Sequence, residues 1–571
     1  MIQFVLAALL AAIPEQEGIR RVQAHLLIEA PRLALEEAEQ IAKEYPDSLN
    51  VQKIYLEALA ANGLEEQALD LWNSLSQKHP DFLYDRYILE EIAWGVLKKG
   101  IQSTQYGVKL ASMIGSYLTR DVRAVPILLK MMRDSNAVIR SIAVQMSAAF
   151  QDAPLKDEVK RLILDEKVWM VRLEVIKAVG ALKIKELTPT LQALVRSEKT
   201  TIEERGVAIE ALIAMYEDFS YPEFQALCKS NRAGLRHLAA TAAEHFRLKE
   251  AKEDIVVLMK DSNSAVRIAA INAFGLVYRE QYSEKEAMEI LSDALEDSDP
   301  KVAITACWAS LLIDPEKGQK HMKKWLSDLL PENRRMAAAA LAASGSRGVN
   351  LGIETIKTSS DPYVKANIAL GLIGQRTEVA LSADLIYDFL ENEKRMWMID
   401  KKANPLFEIL SPSQVRHNDQ IPNYPEAQDQ MTRLHLLSLL ALVDDPRAVS
   451  ALKTFLQRKR WGISGVAAAT LLHEGDDTAL DVVKQLLDDE DSNVRLQACL
   501  VLAFFCRDDS ILLQLQGAYA GADHEKKLHI LEALGKIGNA NSYSFLMGVL
   551  REPFPVLRVA AAAALIQSVN R

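Results

Sequence analysis

Ten histidines and four cysteines are the residues of this chain that could ligate a metal. His237 and His245 stand eight apart, and His524 and His529 five apart. Neither pair has the i, i+4 spacing that turns two imidazoles toward one ion on a helix, and no Cys-x-x-Cys occurs, so no metal and no cofactor is expected. Phosphate-binding glycine loops of the GxxxxGK[ST] or GxGxxG type are missing. Gly462-Ile-Ser464-Gly465 lacks the G-x-S-x-G spacing of a nucleophile elbow and reads as a turn. A catalytic site is therefore not expected. What remains is chemistry of contact. Lys394-Arg395-Met-Trp397 and Arg458-Lys-Arg460-Trp461 combine cations with an indole, the residue types enriched where partners bind most tightly. Between them Ser411–Gln428 is rich in proline and polar residues and carries His417 and Tyr424, a loop of the kind in which binding residues are often placed. Arg395, Trp397, His417, Tyr424, Arg458, Arg460 and Trp461 are thus the candidate partner-binding residues. The competing reading is two ordinary charged turns with each Trp packed inward, since Lys323-Lys-Trp325 has the same composition.

The elements that would position these residues form a repeat. From residue 109 onward an apolar residue, a basic residue and a small residue three further on return again and again. The basic anchors are Arg140, Arg172, Arg205, Arg236, Arg267, Arg335, Lys365, Arg495, Lys527 and Arg558, with weaker members at Lys109, Ala303, Arg433 and Ser464. Successive anchors lie 31, 32, 33, 31, 31, 36, 32, 30, 68, 31, 31, 32 and 31 residues apart. One helix cannot generate that period, whose unit must be a pair of helices. Lys252–Met259, the turn Asp261-Ser-Asn-Ser and Ala265–Tyr278 spell out one such pair, with turn residues that accept N–H bonds at a helix start. The residue three past the anchor is Ala at 143, 208, 239, 270, 306, 338, 467, 498 and 561, small enough for neighbouring helices to approach closely. The 68-residue interval between Lys365 and Arg433 marks a degenerate or rebuilt unit. There a helix-like stretch Ala383–Met398 is followed by the Pro-rich loop 411–428.

The segments Asp134–Arg140, Asp261–Arg267 and Asp489–Arg495, and the Ala-x-Gly endings at Gly180, Gly275 and Gly535, resemble the HEAT repeat in the short bacterial variety named after phycobilisome lyases. That resemblance spans residues 85–571 and implies an all-α solenoid of stacked antiparallel helix pairs. It further implies that each anchor pairs with the turn carboxylate of an adjacent unit and serves structure rather than binding. Residues 31–80 follow another pattern: Ala34, Ala38 and Pro46, then Ala68, Trp72 and Pro80, with Gly63 between. This looks like tetratricopeptide (TPR) geometry. The expected divisions are 1–30, an apolar helix and lead-in; 31–80, TPR-like helices; 81–108, a bridge; 109–375, HEAT-like repeats; 376–428, the degenerate unit; and 429–571, further HEAT-like repeats.

The composition agrees. A chain of 571 residues that is 49% hydrophobic and only 6% aromatic fills narrow helix–helix interfaces with Ala, Leu and Val rather than anchoring large cores on rings. A net charge of −10 disfavours a polyanion binder. Cys228, Cys307, Cys499 and Cys506 all fall in apolar helical stretches and read as buried free thiols, which suits a reducing, cytoplasmic setting. Met1–Ile13 is too short to span a bilayer and reads as a buried first helix, the alternative being an export signal. Stacked units build an extended concave face, so the function expected is a protein–protein scaffold that binds a protein or peptide there. The alternatives are an accessory to an enzyme, as the name of the repeat variety suggests, and nucleic-acid binding through the basic–aromatic residues.

Overall fold

The computed structural model describes residues 14–197, 199–216, 220–392, 396–413 and 483–571. Met1–Ile13, Arg395, His417, Tyr424, Arg433, Arg458, Arg460, Trp461 and Ser464 lie outside the described residues. The fold is an all-α solenoid of antiparallel helix pairs, with one two-stranded hairpin among the described residues. It divides into two compact units, Gln151–Val482 and a unit made of both Met1–Phe150 and Val483–Arg571.

Local chemistry explains how each helix pair turns. The Asp261 carboxylate accepts the N–H of Asn263 at 2.9 Å, and the Asn263 side chain accepts the N–H of Ala265 at 3.0 Å. The same two steps recur through Asp134 and Asn136, through Asp297 and Asp299, and through Asp489 and Asp491. Two consecutive side-chain acceptors reverse the chain and satisfy donors that the new helix would otherwise leave unpaired. Three residues past each anchor the expected small residue is sealed: Ala143, Ala208, Ala239, Ala270, Ala306, Ala338, Ala498 and Ala561 are all 0% exposed. The glycine endings mark the closest approach of successive units. A Cβ on Gly180 would lie 2.7 Å from the Ala211 Cα, and one on Gly535 would lie 2.8 Å from the Ala564 Cα.

In the unit built from both chain ends, helices Pro31–Glu44 and Glu65–Lys78 stop two residues before Pro46 and Pro80. Ala34, Ala38 and Ala68 are fully buried, and Gly63 turns with φ +70 between two helices. Helix Arg86–Ile101 is buried on nearly every side because the C-terminal helix Pro555–Val569 packs on it and on Tyr106–Leu118. Gly115 leaves room for Ala563, whose Cβ would be 3.0 Å from an added one. Arg551 meets Asp70 at 2.9 Å, Arg558 meets Glu65 at 3.6 Å, and the Tyr84 and Tyr543 rings lie 6.4 Å apart. A simple stack contacts only its neighbours, and here the last repeat also contacts the first helices.

Two local expectations are corrected. The helix expected over Ala383–Met398 is observed as Val379–Asn392, and Trp397–Asp400 is instead strand β1, paired antiparallel with strand β2, Ile409–Pro412. Cys228, Cys307 and Cys499 are buried, and burial pushes their thiols up to about 11, 12 and 12. Cys506 is exposed, because a π-helical turn over Leu502–Cys506 ends its helix at the surface.

Candidate binding surface

The anchors come first, since they are the most regular charged feature. Arg140, Arg172, Arg236, Arg267, Arg495 and Arg558 each donate from Nη1 to the main-chain oxygen six residues earlier, at 2.6–3.0 Å. In the unit of Arg335 that bond is made by Arg334, to the Asp328 oxygen at 2.8 Å, so the anchor stands one residue earlier than the sequence pattern places it. Arg335 lies over the Tyr363 ring at 4.6 Å and also pairs with Asp361, the next unit's turn carboxylate, at 3.6 Å. The free edge of the guanidinium then reaches forward to the next unit's turn. Arg236 grips Asp261 at 2.5 and 2.8 Å, Arg267 grips Asp297 with two bonds of 2.8 Å, and Arg172 meets Glu204 at 2.6 Å. Arg334 meets Asp361 at 3.2 Å. Lysine anchors make single ion pairs, Lys109 with Asp134 at 2.7 Å and Lys527 with Glu552 at 3.2 Å, and Lys527 also lies over the Tyr519 ring at 4.6 Å. Among the described residues Arg205 bonds main-chain oxygens, those of Ser197 and Thr200, and Lys365 makes no ion pair. Burial pushes the carboxyl of Asp261 up, but the bonds from Arg236 and the Asn263 N–H outweigh it and hold it below its ordinary range. Asp134 is held low in the same way by Lys109 and the Asn136 N–H. Most of these charges are met within the ladder itself. The ladder fastens each unit to the next.

Of the candidate partner-binding residues only Trp397 is described, and it is 0% exposed. It packs at a tilt against Phe389, 4.4 Å between ring centres, and Phe389 in turn meets Tyr363 edge-on at 5.2 Å. Burying the indole in this apolar cluster gains more than holding it beside surface cations, so Trp397 is part of the packing and not of an exposed cationic patch.

What Trp397 introduces is the hairpin itself, which lies against the helices of three units. The Asn367 side chain, from helix Pro362–Gly374, accepts the Leu410 N–H at 2.8 Å and donates to the Leu410 oxygen at 2.9 Å. The strand register accounts for this grip. Met396 O accepts the Ser413 N–H, so the main-chain groups of Leu410 point away from β1 and toward Asn367. Asn404, in the connection between the strands, exchanges amide bonds with Asn272 at 2.9 and 3.0 Å and donates to Thr305 at 3.1 Å. Phe407 packs edge-on against Trp308 at 5.8 Å. Asn404, Phe407 and Leu410 are each 0% exposed, whereas Pro405 and Glu408 between them face outward. Asn272, Thr305 and Asn367 were not singled out from the sequence. The signal was weak: two residues past the anchor, Thr305 and Asn367 stand where four units have Val207, Leu238, Ala269 and Ala337, but other units have Glu174, Gln497 and His529 there.

Among the described residues no group of His, Cys, Asp or Glu is placed to hold a metal, and no helix is long and apolar enough to cross a membrane. The family model for HEAT repeats matches residues 113–213, 222–311, 424–503 and 482–566, more than half of the chain. This chain belongs to the HEAT-repeat family. The HEAT match lapses from 312 to 423, the interval that contains the hairpin. No curated protein matches the sequence. Solved structures similar to this HEAT protein include the complex of CpcE and CpcF of phycocyanin lyase from Nostoc sp. PCC7120, at 16% identity over 46% of this chain and 92% of that one, TM-score 0.26. Kap95p, in a structure concerning RanGDP, is similar at 12% identity over 97% of this chain and 83% of its own, TM-score 0.35. Human deoxyhypusine hydroxylase is similar at 16% identity over 45% and 96%, TM-score 0.21. At these identities and scores the likeness says nothing of ligands or partners.

Proposed function

We propose that this HEAT-repeat chain is a non-catalytic protein–protein interaction scaffold whose partner is a protein or peptide received on the inner helices of the solenoid. The observation that carries the reading is the Asn367 grip on the Leu410 main chain. A helix face that bonds the N–H and C=O of an extended segment, and sinks every third side chain between its helices, has what binding a polypeptide requires. The largely paired anchor ladder supports the same division of labour, in which charge fastens the units and the remaining helix surface is left for contact. Affinity capture with the full-length protein, beside a version lacking residues 414–428, tests it. Stoichiometric recovery of a protein at physiological salt is the expected result. Recovery of no protein under those conditions, or recovery of nucleic acid alone, sinks the scaffold reading.

A further inference from the structure

The segment Asn404-Pro-Leu-Phe407-Glu-Ile-Leu410 occupies the helix face much as a bound peptide would. Its fully buried residues fall every third position, Asn404, Phe407 and Leu410. Each meets a different receptor: Asn404 the side chains of Asn272 and Thr305, Phe407 the ring of Trp308, and Leu410 the amide of Asn367 through its main chain. The receptors sit on three separate helices, Ser264–Ala273, Pro300–Ile313 and Pro362–Gly374. Holding the segment needs no charge. Lys401 pairs with Glu408 across the top of the hairpin at 2.8 Å and leaves the buried contacts neutral.

Two features separate this contact from ordinary packing between repeats. The main chain of Leu410 is bonded by a side chain, where a helix or a third strand would supply main-chain partners. The polar groups that receive it, Asn272, Thr305 and Asn367, stand on an otherwise apolar helix face. A buried polar group costs about 1–3 kcal/mol when its partners are removed, so two amides and a hydroxyl are matched to one kind of occupant.

We propose that Asn272, Thr305, Trp308 and Asn367 form a peptide-reading groove, that residues 404–410 are its occupant in cis, and that its occupant in trans is an extended protein segment presenting Asn-x-x-Phe-x-x-Leu. The proposal rests on the scaffold reading above and names the class of ligand that this face takes. A ligand in trans must compete with the tethered segment, so its apparent affinity is lowered by the fraction of molecules in which the groove is open.

The test uses full-length protein and a fluorescein-labelled peptide with the sequence of residues 401–413, followed by anisotropy. The triple variant Asn404→Ala, Phe407→Ser and Leu410→Ser loosens the tethered segment and is expected to bind the peptide at least ten-fold more tightly than the unsubstituted protein. Adding Asn367→Ala, or replacing the phenylalanine of the peptide with alanine, is expected to remove that gain. A folded triple variant that binds no more tightly, or binding indifferent to both changes, overturns the proposal. Loss of helical circular dichroism in the triple variant also overturns it, because the segment is then a fixed part of the core. A second measurement needs no substitution. Hydrogen exchange of residues 397–413 in the unsubstituted protein is expected to rise with excess peptide while the three helices stay protected, and exchange only through global unfolding overturns the idea. Partner capture that survives the loosened, Asn367→Ala protein leaves the scaffold reading standing while this inference falls. Peptide binding without any captured partner separates the two in the other direction.

Discussion

Residues 230–303 and residues 362–412 solve the same problem, fastening one helix pair to its successor in the chain, by opposite means. In the first region the fastening is ionic and repeated: Arg236 to Asp261, then Arg267 to Asp297, each with two bonds of 2.5–2.8 Å. In the second it is neutral and used once, an asparagine that holds main chain. An ion pair suits a joint that must recur in the same geometry, because a bidentate arginine fixes angle as well as distance. An amide can serve any extended backbone presented at the right depth. The regular part of the molecule is thereby committed to its own neighbour, and the rebuilt part uses a vocabulary that another chain could share.

The largest effect is expected from breaking the ionic side. Asp261→Ala removes both the acceptor for Asn263 N–H and the partner of Arg236, leaving a guanidinium that is only 15% exposed. A loss of about 3 kcal/mol in urea unfolding is expected, with any captured partner unchanged. Asn367→Ala is expected to cost about 2 kcal/mol, since a buried N–H and C=O of Leu410 lose their partner. Its mark is local: hydrogen exchange quickens at residues 397–413 and not in the helices. Equal quickening in both would erase the distinction between the two joints.

Proton dependence sharpens the comparison further. Asp134 and Asp261 are held below their ordinary range in the folded chain. Their stabilising contribution is therefore complete above the unfolded value, about 4, and is lost as pH falls through the lower folded values. Stability should drop below about pH 4, and Asp261→Asn should weaken that drop, whereas Asn367→Ala should leave its slope alone. Unfolding midpoints at a series of pH values separate them. The smallest effect is expected at Lys365, which is half-buried without an ion pair among the described residues. Lys365→Ala should change stability by less than about 0.5 kcal/mol. A loss as large as that at Asp261 would mean that the rebuilt unit keeps the ionic joint after all.

The ionic joints are legible in the sequence for a physical reason. Their residues must recur at one spacing because each depends on the turn before and the turn after. The small residue three past the anchor can be read in the same way, and all eight described alanines there are fully buried. Arg334 takes the place expected of Arg335 because two adjacent arginines satisfy the same pattern and only the helix start decides between them. The hairpin is not legible. Strands of four residues have no period long enough to distinguish them from a short apolar helix, so the pattern makes Trp397 a helix residue beside cations. Periodicity also speaks only of adjacent units and cannot foretell the docking of Pro555–Val569 on Arg86–Ile101.

That docking has a consequence for the order in which the molecule is made. Helix Arg86–Ile101 leaves the ribosome with an apolar flank whose cover is still to be translated, and Glu65 waits for Arg558. At about 5–20 residues per second the wait is about 25–100 s. The described repeats of residues 151–374 draw most of their contacts from adjacent repeats, so they can fold during synthesis. The unit that contains the first helices must therefore be completed last, and in the interval its uncovered flank is the part of the nascent chain most in need of a chaperone.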